Sequence, residues 1–220
     1  MRRLFLFRPE PGARHSAEQA RAMGLDAVLV PLFAIEPIDW TAPDPKDFDA
    51  ILLTSANAVR HCGDGIDRLR GLPVHCVGEA TALAANLAGL GVASVGNAGV
   101  DELLARILSG TRLLHLCGED RRAPTDDRQL ITSVSVYRAV ATDRPADLDA
   151  IQGSVAAVHS PRAAKRLAEL VNLEAKTKVR IAAISPAAAT AAGSGWESVG
   201  SASQPSDSAL LALCVRLCDD

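Results

Sequence analysis

The sequence predicts an α/β fold of two similar small domains, each a parallel sheet flanked by helices. Three observations lead there. Short apolar runs of strand length alternate with stretches of helical periodicity along the whole chain, the pattern of parallel sheets. Several runs, such as Ala50–Thr54 and Val155–Val158, are mostly apolar throughout rather than at every second position, as in strands covered on both faces. One α/β unit also recurs. Asp49-Ala-Ile-Leu-Leu-Thr-Ser55 resembles Ser154-Val-Ala-Ala-Val-His-Ser160, and Val77-Gly78-Glu79-Ala80 resembles Ile184-Ser185-Pro186-Ala187. The latter two run on alike, through a helix, a Gly (Gly91, Gly195), a Val strand (Val95, Val199), an Asp (Asp101, Asp207) and a Leu-rich helix. Two copies in 220 residues mean two small domains, and a cleft between such domains is a standard place for a ligand.

The elements follow in order. Leu4–Phe7 is a buried strand and Ser16–Met23 a helix with Ala17, Ala20 and Ala22 on one side. Ala27–Leu32 is a second strand, and Ala34–Ile38 continues extended through Pro37. Ala50–Thr54 is a strand that meets Ser55, a good N-cap, and a short helix Ala56–Arg60. Val74–Val77 leads into a helix Thr81–Ala88, and Val92–Val95 into a helix Val100–Leu108. Leu113–Leu116 and the alternating Val134–Val140 are strands, and Asp147–Ile151 is a short helix. Val155–Val158 precedes a helix Arg162–Val171, Val179–Ile184 precedes Ala187–Ala192, and Ser208–Leu217 closes the chain.

Composition excludes several function classes. Hydrophobic residues make up 48% and charged residues 22%, which is globular rather than disordered. The net charge of −3 supplies no basic field for nucleic acid or an anionic membrane. No stretch approaches the roughly 18 apolar residues of a membrane span. The apolar run after Met1-Arg2-Arg3 is shorter than the roughly 7–15 residues of a signal-peptide core. These absences predict a cytoplasmic protein. Five cysteines are an odd number without framework spacing, which argues against a disulfide scaffold.

Candidate chemistry sits in four strand-to-helix turns: Thr54-Ser55-Ala56, Gly78-Glu79-Ala80-Thr81, His159-Ser160-Pro161 and Ser185-Pro186-Ala187. Ligands of parallel sheets collect outside the C-terminal strand ends. Each turn also opens a helix whose first amides are unpaired and carry the positive dipole end. Pro161 and Pro186 suit the first helical position. Four such turns facing one cleft make a polyanion site without a basic patch; the plain alternative is that Ser and Thr only cap helices. Arg8 ends the first strand and either faces the cleft or is solvated. Tyr137 is the only tyrosine; its phenol is a candidate proton donor or an ordinary strand tyrosine. Arg121 and Arg122 read as a solvated turn able to meet a carboxylate. No G-x-G-x-x-G follows a strand, and no phosphate-binding G-x-x-x-x-G-K-[ST] is present. His75 and Cys76 point to opposite strand faces, and His115 with Cys117 supplies too few ligands for zinc, so no metal is expected.

These motifs, in this order, resemble the uroporphyrinogen-III synthase family. The resemblance rests on Asp49–Val59, Val77–Ala82, Leu116–Arg122, Val136-Tyr137-Arg138, His159–Pro161 and Ile184–Pro186, and runs over nearly the whole chain. It implies two α/β domains joined by two extended linkers: 1–37 with 143–220, and 38–142. The linkers are then Phe33–Asp39 and Arg138–Asp143. It implies a monomeric, cofactor-independent lyase acting on hydroxymethylbilane, a linear tetrapyrrole rich in carboxylates. Water is lost, the ring closes, and ring D is inverted to give uroporphyrinogen III. Tyr137 matches the family's tyrosine, and Thr81 and Ser160 match cleft positions. Two departures stand out. Ala187 and Ala188 follow Pro186 where the family often has Thr, which leaves backbone amides but no hydroxyl. The 123–131 segment also barely allows a helix of two turns. These departures motivate an alternative, a non-catalytic module that binds a tetrapyrrole or another polycarboxylate.

Overall fold

The computed structural model describes residues 1–96, 99–120 and 128–219. In chain order its elements are β1 (Leu4–Leu6), α1 (Gly12–Ala22), β2 (Ala27–Leu29), β3 (Phe33–Pro37), β4 (Ala50–Leu53), α2 (Ala56–His61), β5 (Val74–Val77) and α3 (Glu79–Leu87). They continue with β6 (Val92–Gly96), α4 (Val100–Ala105), β7 (Arg112–Gly118), β8 (Leu130–Ala141), β9 (Val155–Val158) and α5 (Pro161–Leu170). The last are α6 (Leu173–Lys176), β10 (Arg180–Ala183), α7 (Pro186–Ala192), β11 (Ser198–Ser201) and α8 (Asp207–Asp219). The chain divides into two compact units, Met1–Ala34 with Val140–Asp220, and Ile35–Ala139.

The first unit holds a five-stranded sheet in the order β11-β10-β9-β1-β2. All its strand pairs are parallel. Leu4 and Leu6 of β1 pack with Ala17 and Ala20 of α1 and with Leu210, Leu211 and Cys214 of α8. α5 and α7 pack on each other beside β9 and β10. The chain winds outward from β1 in one direction and from β9 in the other, so the strand order reverses between these two.

The second unit holds a six-stranded sheet in the order β3-β8-β7-β4-β5-β6, with β8 to β6 parallel. Period-two alternation in β4 sends Ile51 and Leu53 to the core under α2 and α3, and Ala50 and Leu52 to the core with Leu103 and Leu104 of α4. Here the order reverses between β4 and β7. Such reversal points are where open α/β sheets leave a crevice at the strand C-termini.

Several element boundaries differ from the sequence-based expectation, each for a local reason. α1 begins at Gly12, a full turn before Ser16, because Ser16 is an inward, fully buried helical residue. α4 stops at Ala105 because the buried Gln129 side chain donates to the carbonyls of Leu104 and Ile107. β8 starts at Leu130, so Leu130 and Ile131 are strand residues and not part of a helix. Covered faces hold for the central strands; β11, with Val199 41% exposed, is an open edge. α6 has no counterpart in the apolar pattern and exists as a single turn capped by Asn172, whose Oδ1 accepts from the Ala175 amide.

Candidate functional site

Parallel pairing puts the C-terminal ends of each sheet's strands along one edge, and the predicted site residues collect on those two edges. In the second unit, Thr54 follows β4 directly. Its hydroxyl lies 2.9 Å from His115 Nε2, and Ser133 Oγ lies 3.3 Å from His115 Nδ1. His115 is 1% exposed, so this histidine inside the sheet ties β4, β7 and β8 together at the reversal point. Ser55 caps α2 by accepting from the Asn57 amide. Gly78, at φ +82°, makes the turn into α3, and Glu79 and Ala80 are exposed at the helix start. Thr81 is buried: one more step of helical rotation turns it toward the core with Ala82 and Ala85. Tyr137 lies opposite Gly118, at the end of β7, with the His61 ring 6.3 Å away between centroids.

In the first unit, Arg8 follows β1 and is half-buried in a polar cluster. Its Nη1 donates to Ser16 Oγ at 3.0 Å and lies 3.4 Å from Asp207 Oδ2. Ser16 Oγ is 2.7 Å from the same oxygen, and His159 Nε2 is 2.8 Å from Asp207 Oδ1. Burial pushes the His159 imidazole below its ordinary value, against the hydrogen bond to Asp207. Burial alone raises the Asp207 carboxyl. Hydrogen bonds from His159 and Ser16 and the charges of His159 and Arg8 outweigh it and hold the group at about 2.

The serine turns of this unit share one construction. Ser160 accepts from the Ala163 amide and Ser185 from the Ala188 amide. Pro161 and Pro186 carry no N–H. The Ser185 turn therefore presents one helical amide, at Ala187, and each turn presents its serine proton. The expectation that Ala188 offers its amide is corrected: Ser185 occupies it, and the residue is fully buried.

Sequence reasoning did not find Ser16 and Asp207 as partners of Arg8, His115 behind Thr54, or Gly118 beneath Tyr137. Arg121 and Arg122 lie outside the described residues. Among the described residues, no group of three or more His, Cys, Asp or Glu is arranged to hold a metal ion.

The family model described as uroporphyrinogen-III synthase HemD matches residues 15–212. The chain belongs to the uroporphyrinogen-III synthase family. Its members are cofactor-independent lyases that cyclise a tetrapyrrole in haem biosynthesis, and the chain takes its activity class and tetrapyrrole substrate from that membership. Solved structures bear out the fold. Uroporphyrinogen-III synthetase from Helicobacter pylori matches with a TM-score of 0.70 and 18% identity, covering 99% of this chain and 100% of that one. A mutant uroporphyrinogen III synthase from the extreme thermophile Thermus thermophilus matches with a TM-score of 0.53 and 19% identity, covering 99% and 100%. No curated protein matches the chain by sequence. Among the described residues, no helix is long and apolar enough to cross a membrane.

Proposed function

We propose that the chain converts hydroxymethylbilane to uroporphyrinogen III in the cytoplasm, as a monomer that binds neither nucleic acid nor membrane. The observation that carries the residue-level reading is the placement of Tyr137 at a strand-end edge whose neighbouring turns are built for anions. Carboxylates of the substrate are taken by the Arg8 guanidinium, by the backbone amides after Ser55, Gly78 and Ser185, and by the hydroxyl protons of Ser55, Ser160 and Ser185. Thr54 and Ala56 lie at the first of these turns, and Thr81 and Ala188 support theirs from inside. The phenol of Tyr137 donates a proton to the departing hydroxyl, which leaves as water. The resulting azafulvene cation is attacked by the substituted carbon of ring D, giving a spiro intermediate. Fragmentation and reclosure invert that ring, and loss of a proton restores the aromatic pyrrole. Unassisted closure does not invert the ring, so the protein's main task is to hold the chain in the inverting geometry.

None of the five cysteines forms a disulfide and all are buried, in keeping with a reducing compartment. The test is a product-isomer assay on freshly generated hydroxymethylbilane. Type III product at substoichiometric protein is expected. Type I alone, at the protein-free rate, overturns the reading and leaves a tetrapyrrole-binding module, which the missing hydroxyl at Ala187 favours. Tyr137→Phe is expected to lower kcat by about 100-fold, the low end for a lost general acid, with little change in KM.

A further inference from the structure

We propose that Gly118 is the positioning residue for Tyr137: the bare Cα at the end of β7 is the seat on which the phenol ring rests, and the bulge beside it aims that ring. The proposal rests on the reading of Tyr137 as the proton donor. Three observations support it, beginning with the register. β7 and β8 pair Cys117 with Ser135 and then Gly118 with Tyr137, so Val136 is an extra residue on β8. In a regular strand, neighbouring residues point to opposite faces. Here Val136 and Tyr137 both pack against the core cluster under α2 and α3. A bulge is what permits this, since it re-aims one side chain relative to the strand's alternation. The amide of Glu119 donates to the Tyr137 carbonyl at 2.9 Å and fixes the backbone at that point.

The space beneath the ring is the second observation. A Cβ on Gly118 would lie 2.7 Å from Tyr137 Cζ, 2.8 Å from Cε2 and 2.9 Å from the phenol oxygen. The third is the backbone. Gly118 is not among the glycines with positive φ, so its conformation suits any residue. What demands glycine here is room for the ring. The atoms that would clash are the free end of the side chain, so a methyl at 118 swings the phenol aside and leaves the strand in place. The ring then shifts relative to His61 and to the neighbouring turns.

The test uses the fact that Tyr137 is the only tyrosine, so 3-fluorotyrosine labels one site. In Gly118→Ala, the single fluorine resonance is expected to shift without substrate, with the thermal midpoint nearly unchanged. Its kcat is expected to fall by at least about tenfold at near-constant KM, the signature of a misplaced group. The double variant Gly118→Ala/Tyr137→Phe is expected to be no slower than Tyr137→Phe alone. An unmoved resonance, wild-type kcat or an additive loss in the double variant overturns the proposal. Should Gly118→Ala fail to fold, adding Tyr137→Ala empties the ring's space and restores folding; no rescue overturns the seat. Wild-type turnover in Tyr137→Phe overturns the proton-donor reading instead, while the fluorine shift still reports on the seat.

Discussion

Asp207 shows how a single carboxylate organises the edge of the first sheet. It receives His159 on one oxygen and Ser16 on the other, with the Arg8 guanidinium alongside. Its folded value of about 2 lies below the ordinary 3.8, so the stability it contributes is complete above pH 4 and is lost as pH falls toward 2. His159 acts in the same direction at higher pH. Its value is lowered from 6.5, so the unfolded chain takes up that proton first, and stability falls as pH drops below 6.5. Calorimetric midpoints are expected to decline from neutral pH downward. Asp207→Asn should lower the midpoint at neutral pH and flatten its dependence below pH 4; an equally steep decline in that variant would show that the cluster is not responsible. Asp49, also held at about 2 by hydrogen bonds from Arg112, keeps a residual slope.

The helix starts set the geometry of the turns, and they do so by two different devices. At α5 a serine side chain closes the first turn, so Ser160→Ala is expected to cost about 1 kcal/mol in denaturant unfolding. At α3 no side chain caps the helix, and the turn depends on Gly78 at φ +82°, ψ 147°. A Cβ there meets nothing within 4 Å, so the cost of Gly78→Ala is backbone strain alone, about 1–3 kcal/mol. Retained stability in Gly78→Ala would show that the turn relaxes. The same turn directs the exposed Glu79 and Ala80, so a relaxed turn would also carry their amides away from the strand end.

The two units are one pattern with different chain breaks. The run β4-α2-β5-α3-β6-α4 in the second unit recurs as β9-α5-β10-α7-β11-α8 in the first, apart from the extra turn α6. β7, beside β4, has its counterpart in β1, beside β9. The first unit thus has its chain ends where the second runs on from α4 into β7, and the Arg2 amide closes that break by donating to the Cys218 carbonyl at 3.0 Å. Each sheet has its own core. Leu6→Ala and Leu53→Ala, both at fully buried positions, are each expected to cost about 2–5 kcal/mol. Hydrogen exchange should report lost protection chiefly in the sheet that carries the substitution; equal loss in both would show that the cores are energetically one.

Much of this was legible in the chain itself. β9 coincides with the apolar run Val155–Val158, because a strand covered on both faces writes its burial into consecutive residues. The capping serines were readable because a cap is a local relation between neighbours, and the repeat because each copy is itself a run of consecutive residues. The bonds of Ser16 to Asp207 across 191 residues and of His159 to Asp207 across 48 were not readable, because any polar residue of suitable reach would satisfy the local pattern equally well. Nor was the one-residue slip that turns Val136 and Tyr137 to the same core. Composition and periodicity report which residues are buried. Which buried groups meet, and in what register, is decided by how the strands and helices pack.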